Sequence, residues 1–237
     1  MTLAISTILI TSLKLAVAGA CICLDRTACG QLMISRPMVA GTLMGFLAGN
    51  PTLGLFTGVL IELLWLHELP VGTVIPTDDT LVAVLASGIA AAITAKTQLS
   101  DPAASGAVVF LVIAILLPLS SLSRKIECLI RNRNATILTR METQLLAGNP
   151  DHAIALHLWG IYHFWCYNAL AIFITSTLML LIVPSINRLL PAGLIAVMDG
   201  LLIIFPLLGI ASLLSSLHRK HMHILFVILA LAFTCLR

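Results

Sequence analysis

Three acids set in apolar sequence are the residues here with chemistry to offer. Glu62 sits inside the run TGVLIELLWL, and Asp78 and Asp79 follow Pro76 and open another apolar run. Hydrocarbon gives a carboxylate no partner, so an acid at membrane depth reads first as a functional group facing a cavity. Carboxylates only accept hydrogen bonds, which suits the hydroxyl groups of a substrate. Each acid also has a plainer reading. Glu62 is satisfied equally well by a neighbouring backbone N–H or by protonation. Asp78-Asp79-Thr80 is placed to cap a helix N-terminus, where acids offset unpaired N–H groups and the helix dipole, although two adjacent aspartates exceed what a cap needs. Asp25 and Gln31 follow the first apolar run and fit plain loop positions. Asp199, in a Gly/Pro-interrupted apolar segment of the second half, earns the same suspicion as Glu62.

Other chemistries find little footing. The six cysteines (21, 23, 29, 128, 166 and 235) form no CxxC pair and lie mostly in apolar runs, as small buried hydrophobes do. His157 and His163 neighbour Trp159, Tyr162 and Trp165, the composition of an interfacial aromatic belt. His218, His221 and His223 read as juxtamembrane. Asn134-Ala135-Thr136 matches a glycosylation sequon that carries little weight. The sequence holds no nucleophile elbow, P-loop or zinc motif, so neither a catalytic constellation nor a cofactor is expected.

These acids must be held by membrane elements. Hydrophobic residues make up 59% of the 237 and charged residues only 10%, against about 25% charged in soluble domains. A soluble globular fold is excluded, and a net charge of +3 is too small to imply nucleic acid. At about 20 residues per span, the chain makes roughly six to eight crossings or re-entrant pieces. The run at 3–24, broken by Lys14, lacks a basic n-region and a clean cleavage site, so it is expected to be a retained first helix. From Arg36 to Leu81, glycines 41, 45, 49, 54, 58 and 72 and prolines 37, 51, 70 and 76 act as helix breakers. Runs 37–49 and 53–66 are each too short to span, and Gly49-Asn50-Pro51 between them signals a turn. A re-entrant hairpin and one broken span are both open. Broken helices of this kind build substrate sites in transporters.

Residues 123–151 differ, carrying Arg124, Lys125, Arg131, Arg133 and Arg140 along an incomplete apolar stripe. The stripe predicts an amphipathic helix at the membrane surface, and the positive-inside rule puts it in the cytoplasm. Pro37, Pro51 and Gly54 find an echo in Pro191, Pro206 and Gly209, a pattern that inverted repeats produce. The expected architecture is an all-α polytopic bundle with broken or re-entrant helices and two inverted repeats. Its parts are a membrane half at 1–122, the cytoplasmic helix at 123–151 and a second membrane half at 152–237.

Arg36-Pro37-Met38-Val39-Ala40-Gly41, then Gly45, Gly49, Gly54, Gly58, Glu62, Val71-Gly72, Pro76 and Asp78, resembles the enzyme IIC subunit of the mannose/fructose/sorbose class of the bacterial phosphotransferase system. The charged helix, the Gly148-Asn149-Pro150 turn, Ile154, His157 and the apolar final third extend the likeness along nearly the whole chain. The resemblance implies a multi-pass subunit of the bacterial inner membrane that moves a hexose-like sugar by an elevator-like shift. It also implies a IID membrane partner and cytoplasmic IIA and IIB phosphocarriers, with the sugar phosphorylated by the phosphohistidine of IIB. Glu62 and Asp78 match family site positions, with Asp79 and Gln31 beside them. Two departures stand out. Gln31-Leu32-Met33-Ile34-Ser35-Arg36-Pro37 is two residues longer than the usual Gln-Phe-His-Arg-Pro and lacks its histidine. Pro70-Val71-Gly72 replaces Asn-Ile-Gly, exchanging an amide for a ring without a donor. These departures leave a second reading, a regulatory or vestigial IIC-like protein that binds partners without transporting sugar. An ion-coupled transporter of another system would explain the acids but not the 36–79 pattern.

Overall fold

The computed structural model describes residues 4–66, 77–97, 101–148 and 150–216, with positions 227, 228, 230, 231 and 234. Among them the regular elements are all helical: α1 (Ile5–Thr27), α2 (Pro37–Ala48), α3 (Pro51–Leu64), α4 (Asp79–Thr97), α5 (Pro102–Leu146), α6 (Pro150–Leu189), α7 (Ala192–Leu201) and α8 (Ile204–Ser216). Among the described residues five stretches are long and apolar enough to cross a membrane: Ile5–Thr27, Asp79–Thr97, Pro102–Ser121, His152–Leu189 and Ala192–Ser215.

Helix α4 is the axis of the bundle. Every residue from Thr80 to Thr94 is buried, and α1, α2, α3, α5 and α6 all pack on it. Its alanines, Ser87 and Gly88 explain this, because small residues let membrane helices approach closely where lipid supplies no hydrophobic drive.

The short helices α2 and α3 form a re-entrant hairpin, which settles the alternatives left open by the sequence. Prolines start both, Pro37 and Pro51 standing at first-turn positions where a missing N–H is harmless. Gly49 turns the chain at φ +95°, and Asn50 caps α3 by accepting from Leu53 N–H at 3.1 Å. The far ends meet again, Arg36 Nη2 lying 2.6 Å from Glu62 Oε1. At the tip, Asn50 Nδ2 donates to Thr94 Oγ1 at 3.4 Å, so the hairpin runs most of the length of α4. Here the glycines differ from expectation. Gly41, Gly45, Gly54 and Gly58 break no helix: a Cβ on Gly45 would come within 2.6 Å of Gly54 Cα, and one on Gly58 would strike the Pro37 carbonyl. Two GxxxG pairs face each other, and backbone-to-backbone contact is their task.

The charged segment is not a separate element either. α5 continues from its span through residue 146 without interruption, 45 residues in all. At 1.5 Å per residue that is about 68 Å, over twice the hydrocarbon thickness, so its second half projects beyond the span and packs on α6. The proline echo gives no second hairpin. Pro191 caps α7, but bonds from Leu202 N–H to the Asp199 carbonyl and from Phe205 N–H to the Leu202 carbonyl carry the chain on into α8. α7 packs on α5 and α8 on α3. Among the described cysteines only Cys23 is buried, while Cys21 and Cys29 are exposed.

Candidate functional site

At one end of the bundle the C-termini of α1 and α3 meet the N-termini of α2 and α4. Asp78 N–H donates to Ser123 Oγ at 3.1 Å, which places this end level with the close of the α5 span at Ser121. Glu62, Asp78 and Asp79 lie at this end, each already engaged. Asp78 Oδ1 caps α4 by accepting from Leu81 N–H at 3.0 Å. It also lies 2.5 Å from Arg26 Nη1, an ion pair without hydrogen-bond alignment. Arg26 Nη2 donates to the Thr77 carbonyl at 3.0 Å and reaches Asp79 Oδ1 at 3.4 Å. Glu62 joins two helix ends: its Oε2 accepts from Met38 N–H at 3.0 Å, capping α2 where Arg36 offers no acceptor of its own, and its Oε1 pairs with Arg36.

Sequence reasoning missed the Asp25-Arg26 dipeptide, which organises this end. Asp25 Oδ1 and Oδ2 accept from Leu32 N–H at 2.7 Å and Ser35 N–H at 3.0 Å. The loop wraps the carboxylate so tightly that Gly30, Gln31 and Met33 all have positive φ, of 87°, 54° and 63°, a conformation uncommon outside glycine. Gln31 is exposed on this loop. Thr80 Oγ1 then donates to the Ser35 carbonyl at 2.8 Å and ties the loop to α4. An acid and a base ending a membrane helix beside a Gly-containing loop was the available signal. Glu62, Asp78 and Asp79 thus lie at one end of the bundle, with Gln31 on the loop that Asp25 holds there. Glu68, Pro70, Gly72 and Pro76 lie outside the described residues, as do His218, His221 and His223. Asp199 packs elsewhere, its side chain over Gly106 of α5.

The cavity beside Asp78, which Ser123, Glu127 and Asn168 also line, holds about 10 Å³, the size of one water and far below a sugar site. A cavity of about 640 Å³ lies between α5 and α6 at the end of α1 and shares Glu127, Ile130 and Phe164 with the small space beside Asp78. Among the described residues no group of three or more His, Cys, Asp and Glu is placed to hold a metal ion.

No curated protein matches the sequence. Solved structures share the fold, two of them as follows. One, described as "Structure of membrane protein", superposes with a TM-score of 0.60 at 19% identity over 96% of this chain and 85% of its own. The other, from a cryo-EM structure of the mannose transporter ManYZ in complex with microcin E492, gives 0.52 at 18% identity over 99% and 87%. A family model for the sorbose-specific IIC component of the phosphotransferase system matches residues 6–236. The chain therefore belongs to that family, the sorbose-specific IIC components of the sugar phosphotransferase system.

Proposed function

We propose that this chain translocates a hexose-like sugar across the bacterial inner membrane, with Glu62, Asp78, Asp79 and Gln31 as its ligands. The supporting observation is the re-entrant hairpin, whose returning end brings Glu62 to the polar end of the bundle that holds Asp78, Asp79 and the Gln31 loop. A carboxylate offers about four lone pairs, and the contacts described occupy two on Asp78 and two on Glu62, leaving acceptors for hydroxyls. Opening the space beside Asp78 then falls to a shift of the hairpin and α4 against the rest, assisted by a IID-like membrane subunit. Cytoplasmic IIA and IIB chains supply the phosphoryl group, so this subunit needs no nucleophile of its own.

Uptake of labelled hexoses by cells expressing the chain with its partners tests the reading. A charge-assisted hydrogen bond to a hydroxyl contributes about 1.5–3 kcal/mol, so Glu62→Gln and Asp78→Asn should each lower sugar affinity roughly 10- to 100-fold while the complex still assembles. The tight pairing of both acids with arginines also favours a second reading, a partner-binding IIC-like protein that does not transport. Normal uptake by both variants would remove the acids from the site, and the absence of any uptake in the parent would favour the second reading.

A further inference from the structure

The 640 Å³ cavity lies just past the membrane span. Its α5 wall runs from Glu127 to Met141, beyond the end of that span at Ser121, and Thr27 and Ala28 border it where the α1 span ends. Positive charge assigns this side to the cytoplasm. Glu127, Ile130 and Phe164 are common to this cavity and to the 10 Å³ space beside Asp78, and so divide the two. The polar side chains of the lining are Thr27, Glu127, Arg131, Asn134 and His157. Arg131 donates to Glu127 Oε1 through Nε at 3.2 Å and Nη2 at 2.5 Å, so the pair is balanced in charge and Oε2 stays outside it. The arginine side chain is 56% exposed and that of Glu127 11%, which sets the carboxylate deep in the wall and the guanidinium at the water. Asn134 donates through Nδ2 to the Gly160 carbonyl at 3.3 Å, and its buried Oδ1 has no partner among the described residues. An unsatisfied buried acceptor is uncommon, and a bound hydroxyl would relieve it.

These features select the ligand. Arg131 is already paired, so an anion gains little, and an alkyl chain would leave a carboxylate, an amide and a hydroxyl without partners. A neutral polyol suits the whole lining. Its hydroxyls can donate to Glu127 Oε2 and Asn134 Oδ1 and accept from Thr27 Oγ1, while its C–H faces lie on Ile130 and Phe164. A few placed polar groups in mostly apolar walls are the usual make-up of a small-molecule site of roughly 300–1,000 Å³. We propose, resting on the sugar path through Glu62 and Asp78 put forward above, that this cavity is a second hexose site between those acids and the cytoplasm. Glu127 and Asn134 are its ligands. Because Glu127 borders both spaces, a hexose leaving Asp78 meets the next carboxylate before it reaches water.

The test uses the full chain co-expressed with its membrane partner, in inverted vesicles and without the native thiols. It follows alkylation of Leu138→Cys, a half-exposed position in the lining, by an impermeant maleimide as mannose, fructose, glucose or sorbose is added. A transported sugar should slow the reaction severalfold, while Asn132→Cys, exposed on α5 outside the cavity, should react at one rate throughout. Glu127→Gln should raise the half-protecting concentration roughly tenfold, the difference between a charge-assisted and a neutral hydrogen bond. Ala135→Trp, at an exposed position of the wall, should abolish protection, and Glu62→Gln should leave it unchanged. Glucose 6-phosphate should protect no better than glucose. Uptake of a sugar that gives no protection would overturn this second site and leave the first standing. Protection that Glu127→Gln does not weaken, that Asn132→Cys shares or that Glu62→Gln removes would also overturn it, as a change of conformation, and stronger protection by the sugar phosphate would overturn the neutral ligand. Intact protection beside normal uptake in Glu62→Gln and Asp78→Asn would remove the first site and keep this one. Neither uptake nor protection would end both.

Discussion

Arg26 shows how an intramembrane charge is kept affordable in energetic terms. Taking a guanidinium out of water costs several kcal/mol, and here two aspartates and the Thr77 carbonyl surround it. Removing one member of such a set strands the other: breaking a buried pair costs about 3–5 kcal/mol, less where water still reaches the pair, as it does at 19% exposure of the arginine side chain. Asp78→Asn keeps the cap on α4 but loses the ion pair, so it should lower thermal stability in detergent by roughly 2 kcal/mol. Arg26→Met in the Asp78→Asn background should add less than Arg26→Met alone. A cycle with additive effects would mean that the two side chains do not interact. Glu62→Gln should be milder, since Gln Oε1 can still accept from Met38 N–H and Arg36 is 57% exposed.

Among the elements, the hairpin depends on backbone contact between α2 and α3. A methyl on Gly54 would meet the Gly41 carbonyl and lie 2.5 Å from Gly45 Cα, atoms that rotamer changes cannot move. Overpacking of this kind costs about 1–3 kcal/mol. Gly54→Ala should therefore destabilise the chain by that amount and part Arg36 from Glu62, whereas Gly193→Ala, with nothing within 4 Å of its Cβ, should be neutral. Comparing thermal midpoints of the two variants checks this. α5 yields a prediction of orientation. Asn132 is exposed on its projecting, basic half, and positive charge favours the cytoplasm. Cysteine at this position, in a background without the native thiols, should react with impermeant reagent in inverted vesicles and not in intact cells.

For the whole molecule, the outer faces are unfinished for a protein that works alone. Phe46 and Leu189 are 75% and 84% exposed, and lipid covers such residues as readily as protein does. The polar end is a different matter, because the space of about 10 Å³ beside Asp78 admits no sugar. Completion by a second membrane chain predicts that the subunit expressed alone aggregates in mild detergent and that co-expression with a IID-like chain yields a single complex. Size-exclusion chromatography of both preparations is the check. A monodisperse subunit that binds sugar unaided would defeat it.

The sequence by itself determined that this is a helical membrane protein with its acids between residues 62 and 79, because hydrocarbon penalises charge and unpaired backbone wherever they stand in the chain. It also carried the family pattern and the basic composition of residues 123–151, which it read as a surface helix. Only the tertiary structure decided what the glycines, the arginines and Asp25 do. Whether a glycine breaks a helix or lets two helices touch depends on which backbone lies opposite, and local sequence is silent on that for Gly45 and Gly54. Whether Asp78 is a cap, an ion-pair partner or a free acceptor depends on Arg26, 52 positions earlier. Hydropathy saw a change of composition at residue 123, but helix continuity is set by backbone hydrogen bonds, which pass from apolar to charged sequence without a break.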